Sequence, residues 1–340
     1  MKVLIIRLSS IGDIILTTPV VRCIKQQLGA EIHFLVKKSF ANVLAGNPYI
    51  DQIHYYERWD EEAERRLREE QFDHIFDLHK NLRSKQIIYS LKLPSTDFDK
   101  LNVRKWFMTA LKINILPKKH IVDRYFEALE RVGLKYDGKG PDFFISDENI
   151  TDADRFLNLK GIPDGASYVA MAIGAARKTK LPTIDLYIQI INRLGLPVVL
   201  LGGPGDKQFG EEIANSMPAS VIVNAAGELT LQESVAVLKR ALCLVTPDTG
   251  LMHAGAAMGT PMVVIWGNTI PEFGMYPLYK DNTDAVYHNH EVYGLSCRPC
   301  SKIGYEHCPK KHFHCMKQQN MVLIVKNIES LINSRQKKHN

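Results

Sequence analysis

Residues 246–259 read TPDTGLMHAGAAMG. They follow the apolar run CLVTP at 243–247 and lead into a second one, PMVVIWG at 261–267. Strand, short turn, Ala- and Gly-rich helix, strand is the repeating unit of a parallel sheet. The charged Asp248 in the turn allows two readings. It caps the helix N-terminus, a common use of Asp, or it holds a ribose or phosphate together with the amides of Thr249, Gly250 and Leu251, which open the helix with unpaired donors and a favourable dipole. The stretch is not the G-x-G-x-x-G fingerprint, so an ordinary dinucleotide site is not signalled.

A second stretch, RLSSIGDIILTTP at 7–19, repeats the arrangement after the strand KVLIIR at 2–7. Taken alone, Asp13 reads as a helix-capping carboxylate beside the turn residues Ser9 and Ser10, or as a cleft-mouth carboxylate able to accept a proton. Further strands are expected at 31–36, 50–56 and 72–78. A second alternating series begins with SYVAMAIG at 167–174 and continues through 197–203, 221–227, 243–247 and 261–267. Helices are expected at 104–116, 121–133, 183–194 and 230–241, with a turn-rich linker at 136–146. The fold class is therefore α/β, with two doubly wound halves. The expected domains are 1–155 and 156–320, followed by a helix at 321–335 whose docking side is not assigned.

The 340 residues carry a formal charge of +6 and are 45% hydrophobic and 24% charged. A chain of this length suits two domains, and the mild basic excess favours anionic ligands without arguing for nucleic acid. No apolar run approaches a membrane span. The N-terminus lacks a signal-peptide pattern, so a cytoplasmic location is expected, with the six cysteines reduced or bound to metal.

Four motifs in order, RLSSIGDIILTTPVVRCIK, DLHKNLRS at 77–84, TKLP at 179–182 and TPDTGLMHAGAAMGTPMVVIWG, resemble glycosyltransferase family 9, the ADP-heptose:lipopolysaccharide heptosyltransferases. The resemblance implies the GT-B architecture, two Rossmann-like domains facing across a cleft with the acceptor on the N-terminal side. It implies Asp13 as general base, Lys180 (or its neighbour Lys178) on the donor diphosphate, Asp248, Thr249 and Gly250 beside the ADP moiety, and His253 as the family's helical histidine. The expected reaction is inverting transfer of a heptose or related sugar from an ADP-sugar to a hydroxyl of the lipopolysaccharide inner core, without a catalytic metal. Another GT-B enzyme, including an epimerase, and a non-enzymatic anion- or membrane-binding module are the alternatives.

Residues 80–120 contain ten Lys or Arg against two acids. A charge run is usually a solvated face, but this one lies where the family binds an anionic acceptor. RKWFMTALKI at 104–113 mixes basic and large apolar residues, which suits a lipid-linked glycan and peripheral contact with the inner membrane. Ser10, Arg83, Arg104, Lys105 and Arg124 are the acceptor-side candidates. Finally, CRPCSKIGYEHCPKKHFHC at 297–315 gathers Cys297, Cys300, Cys308 and Cys315 with three histidines. Structural zinc competes there with packed thiols or a disulfide.

Overall fold

The computed structural model describes residues 1–217, 221–281 and 283–339. They form two compact units, one of residues 1–101 with 118–144, the other of 102–117 with 145–340.

In the first unit the chain runs β1 (Lys2–Ile6), α1 (Ile11–Ile15), α2 (Thr18–Leu28), β2 (Glu31–Lys37), β3 (Gln52–Tyr56), α3 (Glu61–Glu69), β4 (His74–Asp77), α4 (Leu82–Leu91) and β5 (Ser95–Asp97). The strands are parallel throughout, in the order β3-β2-β1-β4-β5. Val3 to Ile6 are fully buried, as expected of a central parallel strand covered on both faces. Leu4, Ile6, Leu35, Ile75, Ile87 and Leu91 lie in one apolar cluster of this unit.

The second unit contributes α5 (Asn102–Trp106); the chain returns to the first for α6 (Ile121–Leu129). It then runs α7 (Asp147–Leu159), β6 (Val169–Ala172), α8 (Ile184–Leu194), β7 (Val198–Leu201), α9 (Lys207–Asn215), β8 (Ile222–Asn224), α10 (Leu231–Arg240), β9 (Cys243–Pro247), α11 (Gly250–Ala257), β10 (Met262–Trp266), β11 (Tyr287–Glu291), α12 (His314–Lys317) and α13 (Met321–His339). Its sheet is also parallel, in the order β11-β10-β9-β6-β7-β8. Both orders are doubly wound, reversing direction between β1 and β4 and between β6 and β9.

The structure departs from two expectations and supplies an assignment that the sequence leaves open. Residues 102–117, counted above with the N-terminal domain, pack with the second unit, where Lys112 Nζ donates to the Pro299 carbonyl at 2.7 Å. The helix expected at 104–116 is shorter: α5 runs into a single π-turn over 107–111, and Lys112 ends it with φ +60°. Its large apolar residues find no core, since Val103, Trp106, Leu111, Ile113 and Ile115 are all about half exposed or more. Without a face to bury, a short helix has little to lengthen it. The C-terminal helix has a definite docking side, with Ile324, Ile328, Leu331 and Ile332 in the core of the second unit.

A buried arginine fastens α2 to the turn-rich segment before α7. Arg22 is 2% exposed and pairs with Asp137 and Asp142 while donating to the Gly140 carbonyl at 2.9 Å. Burial is the largest influence on Asp137 and would raise its pKa, but the hydrogen bonds from Arg22 and the Lys139 amide, with the charges of both residues, together hold that carboxyl below its ordinary range. Arg22→Ala leaves two carboxylates without their cation and is expected to destabilise by about 3–5 kcal/mol in denaturant unfolding. Because the folded pKa of Asp137 is depressed, the wild-type advantage should be full above about pH 4 and fade as pH falls through the folded value. An advantage unchanged down to strong acid would show that the pair contributes nothing.

Candidate functional site

The loops that follow the strands on either side of each order reversal carry the polar residues. In the first unit these are the segments after β1 and β4. Ser10 is the N-cap of α1, and its amide and hydroxyl donate to Asp13 Oδ2 at 3.3 and 2.8 Å. The capping reading of Asp13 is thus fulfilled, and the same carboxylate does more. Its Oδ1 lies 2.5 Å from Nη2 of Arg7, and the Asp13 side chain keeps a fifth of its surface open.

In the sequence Arg7 is only the last residue of the apolar run KVLIIR at 2–7. It is buried and held on every side, with Nε donating to the Ser9 carbonyl at 2.9 Å, Nη1 donating to the Leu78 carbonyl, and Nη1 lying 3.5 Å from the Tyr125 hydroxyl. A guanidinium so fixed favours the ionised form of the carboxylate beside it, the form able to take a proton. Asp77, buried at the end of β4, accepts from the amides of His79 and Lys80 and from Ser84 Oγ, and burial raises its pKa despite those bonds. His79 is held neutral: burial, then the charges of Arg7 and Lys100, push it down to about 3.

In the second unit the segments after β6 and β9 meet. Thr249, not Asp248, is the N-cap of α11, accepting from the Met252 amide at 3.4 Å. This corrects the capping alternative for Asp248. Its Oδ2 instead takes Lys180 Nζ at 2.7 Å and the Thr269 hydroxyl at 2.9 Å. Lys178, in the same one-turn helix as Lys180, is exposed. Gly250 and Leu251 are half-buried in the first turn of α11, and His253 is buried in it.

Three neighbours were not found from sequence. Arg298 spans the loop after β10, donating to the carbonyls of Gly267 and Thr269 and pairing with Glu291 at 2.6 Å, both partners almost wholly buried. Asn268 is 2% exposed, and neither atom of its amide has a hydrogen-bond partner among the described residues. Gly267 cannot carry a side chain, because a Cβ there would meet the Thr179 carbonyl at 2.9 Å and Met316 at 2.5 Å. That close approach brings the loop against the Lys178–Lys180 turn. A lone Asn or Arg in a loop gives no periodic signal in the sequence.

The remaining acceptor-side candidates divide between the two units. Arg83 is exposed on α4, and Arg124 is buried with Nη1 3.5 Å from the Asp99 carbonyl. Both belong to the first unit, whereas Arg104 and Lys105 belong to the second, Lys105 lying 5.8 Å from the centre of the Phe273 ring.

The cysteine stretch forms one local group. All four thiols are free, with no disulfide, and Cys297 Sγ is 3.8 Å from His312 Nε2. Burial and then the neighbouring thiols push Cys300 up to about 11; burial and then Cys300 push Cys315 to about 12. The Asp-Ala-Asp run at 152–154 lies inside α7, its acids paired with Arg155 and Arg240. No helix among the described residues is long and apolar enough to cross a membrane.

A family model described as glycosyltransferase family 9 (heptosyltransferase) matches residues 62–304, more than half of the chain. Lipopolysaccharide heptosyltransferase 2 of Salmonella typhimurium is 38% identical over 92 residues, and the alignment spans only 26% of either chain. Lipopolysaccharide heptosyltransferase 1 of Campylobacter coli is 25% identical over 292 residues, 79% of this chain and 84% of that one. Among solved structures, the E. coli ADP-heptose lipopolysaccharide heptosyltransferase II aligns with TM-score 0.75 at 19% identity, over 99% of this chain and all of that one. The two Rossmann-like parallel sheets are those the GT-B expectation requires.

Proposed function

From the premise that this chain belongs to glycosyltransferase family 9, we propose that it moves a heptose from an ADP-sugar to a hydroxyl of the lipopolysaccharide inner core, with inversion. The observation that carries the reading is the Lys180–Asp248–Thr269 cluster, set where the order of the second sheet reverses and beside the first turn of α11. Such a place favours a phosphorylated ligand, through the helix dipole and through a cation already desolvated by its partner.

In this reading Lys180 carries the charge that builds on the leaving diphosphate as the glycosidic bond breaks. Asp248 aims the ammonium and Thr269 aims Asp248. Lys178 is the weaker candidate, since it points to solvent beside the cluster. The backbone amides of Thr249, Gly250 and Leu251 add fixed dipoles that need no reorganisation during the reaction. On the acceptor side, Asp13 takes the proton of the attacking hydroxyl, and Arg7 keeps the carboxylate ionised and oriented. The proton leaves oxygen as the new C–O bond forms at the anomeric carbon, and the ADP departs with the old bonding pair.

Purified protein given a deacylated core acceptor should release ADP from ADP-heptose and not the corresponding diphosphates from UDP- or GDP-sugars. Asp13→Ala should lose about 10²–10⁴-fold in turnover with donor affinity kept. Lys180→Met should weaken ADP binding and turnover together. Full turnover in Asp13→Ala would remove the base assignment, and a preference for another nucleotide would remove the donor.

Residues 102–117 support a membrane-facing role for the second unit. Trp106, Leu111, Ile113 and Ile115 are exposed beside Arg104 and Lys112, the composition of an interfacial anchor. The protein should float with anionic phosphatidylglycerol vesicles and not with neutral ones, and Trp106→Ser/Leu111→Ser should abolish flotation. Equal flotation of that variant would refute the assignment.

The cysteine group supports a structural zinc that draws Cys297, Cys300, Cys308 and Cys315 together and pins a loop with little core of its own. Protein purified without chelator should contain one zinc more than Cys297→Ser/Cys300→Ser. Metal-free protein with four titratable thiols in that group would overturn it.

A further inference from the structure

The amino end of the first sheet holds a second polar cluster, which the transfer reaction does not use. His33 on β2 is 1% exposed, His54 on β3 keeps 14% of its side chain open, and Glu70 directly follows α3. His33 Nδ1 lies 2.9 Å from His54 Nε2. The Glu70 carboxylate stands 3.7 Å from the first nitrogen and 3.9 Å from the second. Among the described residues, this is the one group of three metal-ligating atoms that all lie within 4.8 Å of one another. We propose that His33 Nδ1, His54 Nε2 and the Glu70 carboxylate form a binding site for a divalent transition-metal ion, with zinc the best fit.

Three features support the site. First, the spacing suits a metal. Four ligands about 2.0–2.1 Å from zinc are separated by roughly 3.3 Å along a tetrahedral edge, and the three distances here bracket that value. Second, the outer partners are in place. His33 Nε2 is 3.0 Å from Glu31 Oε1, so a proton on Nε2 is donated to that carboxylate and the Nδ1 lone pair turns inward. A carboxylate behind a ligating histidine is the usual way its tautomer and ring are fixed. Third, both rings are held by packing. Phe72 meets each of them edge-on, with centroids 5.2 and 6.2 Å away.

The charges permit occupancy. Lys2 Nζ bridges Glu31 at 3.2 Å and Glu70 at 2.9 Å, and Arg66 and Glu69 line the surface cavity that reaches His54 and Glu70. Two carboxylates and one ammonium leave the cluster with a net negative charge when both rings are neutral, and a divalent ion reverses it. Imidazole with carboxylate is the donor set for zinc and its neighbours in the first transition row, and is unsuited to calcium or magnesium. Binding would clamp the edge strand β3 and the end of α3 to β2.

The test uses the full chain carrying Cys297→Ser/Cys300→Ser, stripped with chelator and titrated calorimetrically with zinc chloride. One equivalent is expected to bind. Adding His54→Ala should weaken that event by at least about 100-fold, and Glu31→Ala by about 10–100-fold. Cobalt(II) should give visible d–d absorption without thiolate charge transfer, lost with His54→Ala. Zinc should raise the melting midpoint in the histidine-intact protein alone. Glu70→Gln provides the same comparison should His54→Ala not fold. No zinc bound by the natively folded cysteine variant, or binding unchanged by loss of His54 or of the Glu70 charge, would overturn the proposal.

Discussion

Right-handed crossovers that leave a parallel sheet in opposite directions from neighbouring strands place their helices on opposite faces. The carboxyl ends of those strands are then left uncovered. In the first unit these are β1 and β4, and in the second β6 and β9. The loops there meet each other with water on one side and the end of an apolar sheet on the other. Polar groups in such a position are partly desolvated, close together and free of ladder bonding. Asp13 with Arg7 after β1, and Asp248 after β9 with Lys180 after β6, lie at the order reversals of their sheets for this reason.

Neither ion pair is mainly a source of stability. Pairs that are partly exposed contribute little net energy, and desolvation offsets much of the attraction when they are not. Their value lies in direction. Arg7 is fixed by two backbone carbonyls before it meets Asp13, so the carboxylate is held without a flexible partner. Lys180 sits on a one-turn helix anchored by hydrogen bonds between Thr179 and Tyr305, and the loop facing it is pinned by Arg298. Long side chains that would otherwise sample many rotamers arrive at one place with their entropy already lost, a condition for selective stabilisation of a transition state.

Much of this was legible in the chain. Short runs of Val, Ile and Leu separated by Gly-containing turns gave both sheets, since a strand buried on both faces has to be apolar throughout. β5 and β11 were missed for a related reason. The first has three residues, and the second reads YHNHE, an edge strand with one neighbour and no need for apolar residues on both faces. The path of 102–117 was not legible. Its apolar and basic residues follow a helical pattern, but that pattern says which residues share a face and not which unit the face meets. Asp13 and Asp248 could be seen, because a charge between apolar segments asks for a reason. Arg7 could not be distinguished from a strand terminus, and its role depends on a carbonyl 71 residues away, that of Leu78.

The polar residues of β2 follow the same logic at the opposite end of the sheet. A histidine in the interior of a strand is desolvated and needs partners, and burial followed by the nearness of His33 lowers the His54 pKa to about 4. A core built for stability alone would place Val or Ile at 33, as it does at the neighbouring positions 32 and 36. Instead two imidazoles, two carboxylates and a lysine from β1, β2, β3 and the end of α3 are assembled beside Phe72. Isolated polar groups in that setting cost several kcal/mol each unless they are satisfied together. The cluster therefore has to act as a unit, and a unit of two imidazole nitrogens and a carboxylate with a second carboxylate behind it is the arrangement in which a cation replaces a shared proton.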